Sequence, residues 1–296
     1  MPKIVIIGEG GQLAQSLRRL HWPAGSELSF HGRRSLGDGG GPDHLSDLLR
    51  AEEAHLVLNA AAFTGVDRAE ADRAAAHALN AALPAALASA CRERDIPLVH
   101  ISTDYVFDGA RRQPYAETAA PNPLNVYGAT KLAGDRAVDS AAPRRWAILR
   151  TSWLVSELGD TFPVKILRRA QAGEALRVVD DQQGCPTAAS DLARAMQQVG
   201  LLLLDEDKAA GGLFNFCGST AMTWHGFAER LLDAAQAAGL KRTPLQAIKS
   251  AELKAAARRP AYSILSCALI RERCGITHAE IDSEIERMVR SILVRP

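Results

Sequence analysis

The chain has 296 residues, 47% of them hydrophobic and 23% charged, with a formal net charge of +1. That balance suits one large or two modest globular domains with a substantial buried core. It lacks the concentrated basic surface that holds nucleic acid or an acidic membrane, so neither partner is expected.

Lys3 to Ile7 is a β-branched run, too short for a helix and apolar on both faces, as in a buried parallel strand. No signal-peptide pattern precedes it and no later apolar stretch reads as long enough to span a bilayer, so a cytoplasmic location is expected. Gly8-Glu9-Gly10-Gly11-Gln12-Leu13-Ala14 follows at once and opens a helical pattern on Leu13, Leu17 and Leu20. Strand, glycine turn and helix together form an anion site from backbone N–H groups, the size of a dinucleotide pyrophosphate. The spacing is GxxGxxA rather than GxGxxG, with alanine still small enough for close helix packing.

A second strand over residues 27–30 runs into His31-Gly32-Arg33-Arg34. An acid at that strand end would accept from a ribose 2′-hydroxyl, whereas arginine suits a 2′-phosphate, so the pattern favours NADPH, with NADH as the alternative. Residues 37–41 read as a glycine-rich loop. A third strand, residues 55–58, ends in Asn59-Ala60-Ala61-Ala62, and an alanine-rich helix is expected from Asp67 to Arg94. The next strand, residues 98–101, delivers Ser102-Thr103-Asp104-Tyr105 to the carboxyl edge of the sheet, where open α/β folds bind ligands.

Pro123-Leu-Asn-Val-Tyr-Gly-Ala-Thr-Lys131 places the Tyr127 phenol and the Lys131 ammonium four residues apart, on one face of a helix. A nearby cation stabilises a phenolate and lowers its pKa, which would let Tyr127 exchange a proton with a substrate oxygen. A strand over residues 146–153 follows, after which the strand and helix alternation loosens. The expected fold is therefore α/β, a Rossmann-type doubly wound parallel sheet in residues 1–153. Residues 154–296 form mainly a smaller substrate-binding α/β domain, with residues 190–217 returning to the sheet. The later elements expected are helices at 162–172, 190–204, 223–238 and 280–293, and strands at 176–179 and 213–216. The five cysteines are scattered, with no Cys-x-x-Cys pair and no histidine at ligand spacing, and read as reduced thiols.

Taken together, Asn59–Ala62, Thr64-Gly-Val-Asp-Arg-Ala-Glu70, Ser102–Gly109, Pro123–Gly134, Arg150-Thr-Ser-Trp153, Gly184-Cys-Pro-Thr187, Thr223-Trp-His225 and Arg258-Arg-Pro260 resemble the dTDP-4-dehydrorhamnose reductase family of extended short-chain dehydrogenases/reductases. The likeness covers nearly the whole chain. It implies NADPH-dependent reduction of the C4 ketone of a dTDP-sugar, dTDP-6-deoxy-L-lyxo-4-hexulose, to dTDP-L-rhamnose. It also implies that Tyr127 protonates the developing alkoxide, that Lys131 lowers the Tyr127 pKa and holds the nicotinamide ribose, and that Thr103 bonds the same substrate oxygen. By the same resemblance Gly8, Gly10, Gly11, Gln12, Leu13, Asp38, Ala62, Phe63 and Thr64 contact the cofactor, to which the strand-end reading adds Arg33, and Asp104, Tyr105 and Trp153 contact the sugar nucleotide.

Some positions depart from that pattern. Ser16 and Ser190 stand where metal-binding members carry glutamate, so no metal site is expected and a magnesium-bridged dimer loses its ligands. Monomer and homodimer both stay open. Phe63 replaces a polar or tyrosyl residue, and Tyr262 interrupts the pattern after Arg-Pro. Two rivals share the fold: a nucleotide-sugar epimerase or dehydratase, and a non-catalytic NADP-binding regulatory subunit. A dehydratase would carry an acid after Thr-Asp, where this chain has Tyr105, and a regulatory subunit would have lost catalytic residues.

Overall fold

The computed structural model describes residues 1–36, 41–141, 144–205 and 211–294. Six strands form one wholly parallel sheet: β1 (Lys3–Ile7), β2 (Glu27–His31), β3 (Leu56–Asn59), β4 (Leu98–Thr103), β5 (Trp146–Thr151) and β6 (Gly212–Asn215). Their order is β6-β5-β4-β3-β1-β2. β1 pairs with β2 on one side and β3 on the other, so the chain reverses direction across the sheet between them. The crevice at the carboxyl ends of β1 and β3 is the place where this topology leaves room for a ligand.

Seven helices position the site: α1 (Gln12–Arg19), α2 (Leu83–Glu93), α3 (Val126–Ala141), α4 (Phe162–Gln171), α5 (Ala189–Leu204), α6 (Trp224–Ala237) and α7 (Ile281–Leu293). The inner strands β1, β3, β4 and β5 are largely buried because both faces of the sheet are covered, whereas the edge strand β2 is only half-buried. On one face Ile4, Ile6 and Leu58 pack with Leu17 of α1 and Met196 and Val199 of α5. On the other Val5, Ile7 and Val57 meet Leu87 of α2 and Val138 of α3. A separate core joins Leu167 of α4, Phe227 and Leu231 of α6 and Ile285 and Met288 of α7. The strand Leu176–Val179 pairs in parallel with Leu245–Ile248 beside it, an element the sequence pattern did not reveal.

The expected doubly wound α/β sheet is therefore present, with two corrections along the chain. The alanine-rich stretch is not one helix: it breaks at Asp72, whose carboxylate caps the next turn by accepting from Ala75 N–H at 3.0 Å. A π-helical turn, Ala78–Ala82, then precedes α2 and its early Pro84. The wider turn absorbs a ring that an i→i−4 ladder would not tolerate. Secondly, Arg73–Glu93 is long and apolar enough to cross a membrane by length and composition. More than half of its most apolar window is buried against the sheet and neighbouring helices, as in the core helix of a globular fold. Asp38 and the rest of residues 37–40 lie outside the described residues; Gly41 stands at the start of the helix Pro42–Ala51.

Candidate active site

The phosphate turn comes first in the chain. Gly8 has φ +114°, and a Cβ there would lie 3.1 Å from Ala61 N and 3.2 Å from Ala60 C, so β1 can approach the Asn59–Ala62 segment only through glycine. At Gly10 and Gly11 a Cβ would meet nothing within 4 Å, which leaves an open cradle before α1. No side chain caps that helix and no acid lies in its first turn, so its N–H groups suit an anionic phosphate. Leu13 is buried in the core, leaving only its backbone N–H for a ligand. The Gln12 side chain turns away, donating to Leu154 O at 3.1 Å and accepting from Ser156 Oγ at 2.9 Å, and so ties the turn to the far half of the protein.

Arg33 and Arg34 are exposed on a short helix, Arg33–Leu36, rather than on a loop. The fold also brings the Glu9 carboxylate beside this strand end, where a Cβ on Gly32 would meet Glu9 Oε2 at 2.6 Å. The sequence reading of a strand end without an acid therefore needs correction: the acid arrives from the phosphate turn. Across the crevice, Asn80 pins Phe63, accepting from its N–H at 2.8 Å and donating to its carbonyl at 3.1 Å. Asn80 lies in the π-helical turn and also donates to Thr130 Oγ1. Sequence reasoning missed it, since a polar residue in an alanine-rich helix carries no motif. The Phe63 ring packs in one apolar cluster with Val126 and Tyr127, under the Arg68 guanidinium; Ala62 is half-buried and Thr64 exposed.

Thr103 ends β4, and its hydroxyl donates to Asp104 Oδ1 at 3.0 Å while accepting from Tyr105 N–H. Asp104 is buried, and burial pushes its carboxyl up to about 7 against hydrogen bonds from Ser263 and Thr103. Tyr105 packs edge-on against Tyr127, with ring centroids 5.7 Å apart. Burial raises the Tyr105 phenol, and Arg259 opposes that shift. Arg259 in turn holds Asp67 of the helix Val66–Ala71 at 2.6 Å, and Ala257 N–H donates to the same carboxylate, so the segment after residue 256 is strapped to that helix. Asn125 Nδ2 donates to Arg258 O at 2.7 Å and closes the same strap.

Tyr127 and Lys131 share one face of α3 as their spacing required, and the helix lies close because Gly128 abuts Tyr105. A Cβ at Gly128 would come 2.1 Å from Tyr105 O. The expected lowering of Tyr127 by Lys131 is not what the structure shows. Burial moves the phenol up to about 12, opposed by a hydrogen bond with Thr103 and reinforced by Asp104 and Asp135. The Lys131 Nζ instead donates to Ile101 O at 2.5 Å and lies 3.4 Å from His100 Nε2, and burial brings it down to about 8 against the pull of Asp135. A desolvated ammonium with few partners is driven toward the neutral amine.

Trp153 sits in the left-handed region at φ +45°, a strained position for a large side chain. Its ring, 8% exposed, stacks on Trp224 with centroids 3.7 Å apart and planes 5° from parallel. The Gly184–Thr187 turn packs beneath: Thr187 donates its N–H to Trp153 O at 3.1 Å and its hydroxyl to Ser152 O at 2.7 Å. Trp224 was not singled out in the sequence, although it stands in the Thr-Trp-His block.

The positions considered for a metal do not fit one. Ser190 Oγ donates to Glu284 Oε2 at 2.9 Å, and Ser16 Oγ donates to Gln12 O at 2.8 Å. Two arginines already neutralise the carboxylates there, Arg287 pairing with Glu157 at 3.0 Å and with Glu284 at 2.9 Å, and Arg19 with Glu157 at 3.1 Å. Among the described residues no group of three or more His, Cys, Asp or Glu side chains converges to hold a metal ion.

With this geometry in hand, comparison with known proteins is decisive. The family described as RmlD substrate binding domain matches residues 2–294. The chain belongs to that family. It is 34% identical to the dTDP-4-dehydrorhamnose reductase of Sinorhizobium fredii, an alignment covering 99% of this chain and 98% of the relative. Identity to the Salmonella typhimurium enzyme of the same name is also 34%, over 97% and 96%. A dTDP-4-keto-6-deoxy-D-glucose reductase from Streptomyces niveus is 41% identical over 75% of this chain and 73% of its own. Among solved structures, the dTDP-4-dehydrorhamnose reductase of Bacillus anthracis in complex with NADP superposes with a TM-score of 0.88 at 28% identity, covering 99% of both chains. The family resemblance read from the sequence is borne out, and so is the Rossmann-type fold.

Proposed function

We propose that the protein uses NADPH to reduce the C4 ketone of dTDP-6-deoxy-L-lyxo-4-hexulose to dTDP-L-rhamnose, as a cytoplasmic enzyme. The observation that carries this reading is the convergence of Thr103, Tyr127 and Lys131 at the carboxyl ends of the strands, beside an uncapped glycine turn. The bound nicotinamide supplies the hydride; the rest is the work of this chain. Backbone N–H groups of Gly10, Gly11, Gln12 and Leu13 hold the pyrophosphate, Gly8 lets it approach, and Ala62, Phe63 and Thr64 line the opposite wall. Arg33 would meet the adenosine end, and Lys131 would hold the nicotinamide ribose. Hydride addition to a ketone leaves negative charge on oxygen, which Tyr127 quenches by giving up its proton and Thr103 stabilises by redirecting to that oxygen the one hydroxyl proton it otherwise donates to Asp104. A phenol kept well above neutral pH is fully protonated before the reaction and is therefore loaded as an acid. Asp104, Tyr105 and Trp153 shape the sugar-nucleotide side, Asp104 acting from behind Thr103 and Trp153 through its stack with Trp224.

The 41% identity to the Streptomyces niveus protein favours a second substrate reading, reduction of dTDP-4-keto-6-deoxy-D-glucose. One assay separates the two. Purified protein is given NADPH and each ketosugar in turn, and stoichiometric NADPH loss with dTDP-6-deoxy-L-lyxo-4-hexulose alone supports the first reading. Loss with the D-glucose ketone alone supports the second. No loss with either, in folded protein that binds NADPH, removes both and leaves the epimerase, dehydratase and regulatory readings.

A further inference from the structure

His100 is completely buried on β4, at the centre of a polar chain that links β3, β4, β5 and α3. Its tautomer follows from hydrogen-bond logic. Asn59 Oδ1 accepts from Ala61 N–H at 3.1 Å, which fixes the amide orientation and leaves Nδ2 to donate to His100 Nδ1 at 3.0 Å. An imidazole nitrogen that accepts a hydrogen bond carries no proton, so the ring proton of a neutral His100 sits on Nε2. Nε2 faces Lys131 Nζ at 3.4 Å and Asp135 Oδ1 at 4.0 Å. Asp135 is itself engaged by Arg150, whose Nε donates to Oδ2 at 3.1 Å.

An N–H aimed at Lys131 treats its two protonation states differently. An ammonium has only hydrogens to present, and finds another donor at that position. A neutral amine has a lone pair that the same N–H can bond. Resting on the proposed role of Tyr127 as proton donor, we propose that His100, locked by Asn59 as the Nε2–H tautomer, is a positioning residue that stabilises the neutral amine left when Lys131 returns a proton to the Tyr127 phenolate. In that step one N–H bond of Lys131 breaks, one O–H bond forms on Tyr127, and the two opposite charges cancel. The one proton that the net reduction consumes is taken up from solvent and restores the Lys131 ammonium between turnovers. Burial holds His100 well below its ordinary value, with the Lys131 charge reinforcing the shift, so the ring stays neutral throughout.

The charged or titratable groups bearing on Lys131 are His100 from β4, Tyr127 and Asp135 from its own helix and Arg150 from β5 through Asp135; Asp104, after β4, acts on Tyr127. Since Lys131 must begin as the ammonium, turnover should fall as pH rises through about 8. Asn59→Asp places a carboxylate against Nδ1, moves the ring proton there and turns the Nε2 lone pair toward Lys131. The ammonium then gains an acceptor, and the alkaline limb of kcat should move up by about one pH unit or more, the scale of one hydrogen bond to a charged group. In Asn59→Asp combined with His100→Phe the ring can no longer relay the change and the limb should return toward the wild-type position. An unmoved limb in the single variant, or an equal shift in both, overturns the proposal; a structural defect alone would lower turnover at every pH.

Because buried substitutions can compromise folding, nitrogen-15 spectra of histidine-labelled, NADPH-bound wild-type protein supply a second measurement. A bare Nδ1 and a protonated Nε2 on His100 support the proposal, and a protonated Nδ1 overturns it. Tyr127→Phe separates the layers: if that variant keeps its turnover the proton-donor reading fails, whereas if it is inactive and the limb is unmoved only the role of His100 fails.

Discussion

Two polar clusters in this protein pair basic with acidic side chains and behave in opposite ways. Around Lys131 every group is dry: burial raises Tyr127 and Asp104 and lowers Lys131 and His100, so each drifts toward its neutral form. Around Glu157 burial also raises the carboxyl, but its own backbone N–H, Arg287 and Arg19 more than offset it and hold Glu157 below the usual carboxylate range. The half-exposed arginines there are open to water and bring full charge with them. Sequence neighbours cannot distinguish these cases. Asp135 beside Lys131 and Glu157 are each met by two cations, yet the first is left raised and the second lowered, so the completeness of desolvation rather than the count of cations separates the two clusters.

The largest effect that would break this contrast is at Tyr127. Tyr127→Phe should retain NADPH binding and lose about 10² or more in turnover, the usual scale for a general acid, read in a steady-state assay of NADPH oxidation. Turnover near that of the wild type would make the dry cluster structural, no different in kind from the Glu157 pair. At the edge of the same site, Trp153→Ala should raise KM more than it lowers kcat, since the ring serves binding rather than proton transfer. Because Trp153 also stacks on Trp224, the variant should lose about 3 to 5 kcal/mol of stability in a denaturant titration, a core-aromatic loss that a purely surface contact would not show.

A smaller effect concerns the adenosine end. Exposed Arg33 and Arg34 beside the strand end predict at least a roughly ten-fold preference in kcat/KM for NADPH over NADH, from a charge-assisted phosphate contact. Glu9 works against it, so Glu9→Gln should widen the preference; equal efficiencies with both cofactors would mark the arginines as solvent charges. The smallest effects belong to the paired cluster. Activity should be unchanged by a chelator and by added magnesium, because arginines occupy the carboxylates a hard cation would need. Arg287→Ala should cost about 1 kcal/mol at neutral pH by thermal unfolding. The sign with pH follows from Glu157: its folded-state pKa is depressed, so the pair stabilises above the unfolded value of about 4.3, and the loss on mutation should fade as pH drops through the lower folded value.

Some of this was legible before any coordinates. Apolar runs of four or five residues ending in glycine or small polar residues marked the buried parallel strands, because a strand covered on both faces admits little else. Tyr127 and Lys131 were legible as a pair because helical periodicity alone puts them on one face. Asn80 and Trp224 were not, since each acts on a partner far away in the chain, at Phe63 and at Trp153. The break at Asp72 was hidden by alanine, which favours helix wherever the chain happens to turn.

By itself, then, the sequence determined the six strands of the sheet in chain order, the glycine turn before α1 and the family, all of which rest on local periodicity and on blocks of adjacent residues. Only the tertiary structure decided the ionisation of the site. It turned Lys131 toward Ile101 and His100, carried Glu9 to the strand end meant for the arginines, and set Arg287 between two glutamates. Those outcomes depend on how much water each group loses and which charges arrive from distant segments, and both are properties of packing rather than of neighbours in the chain.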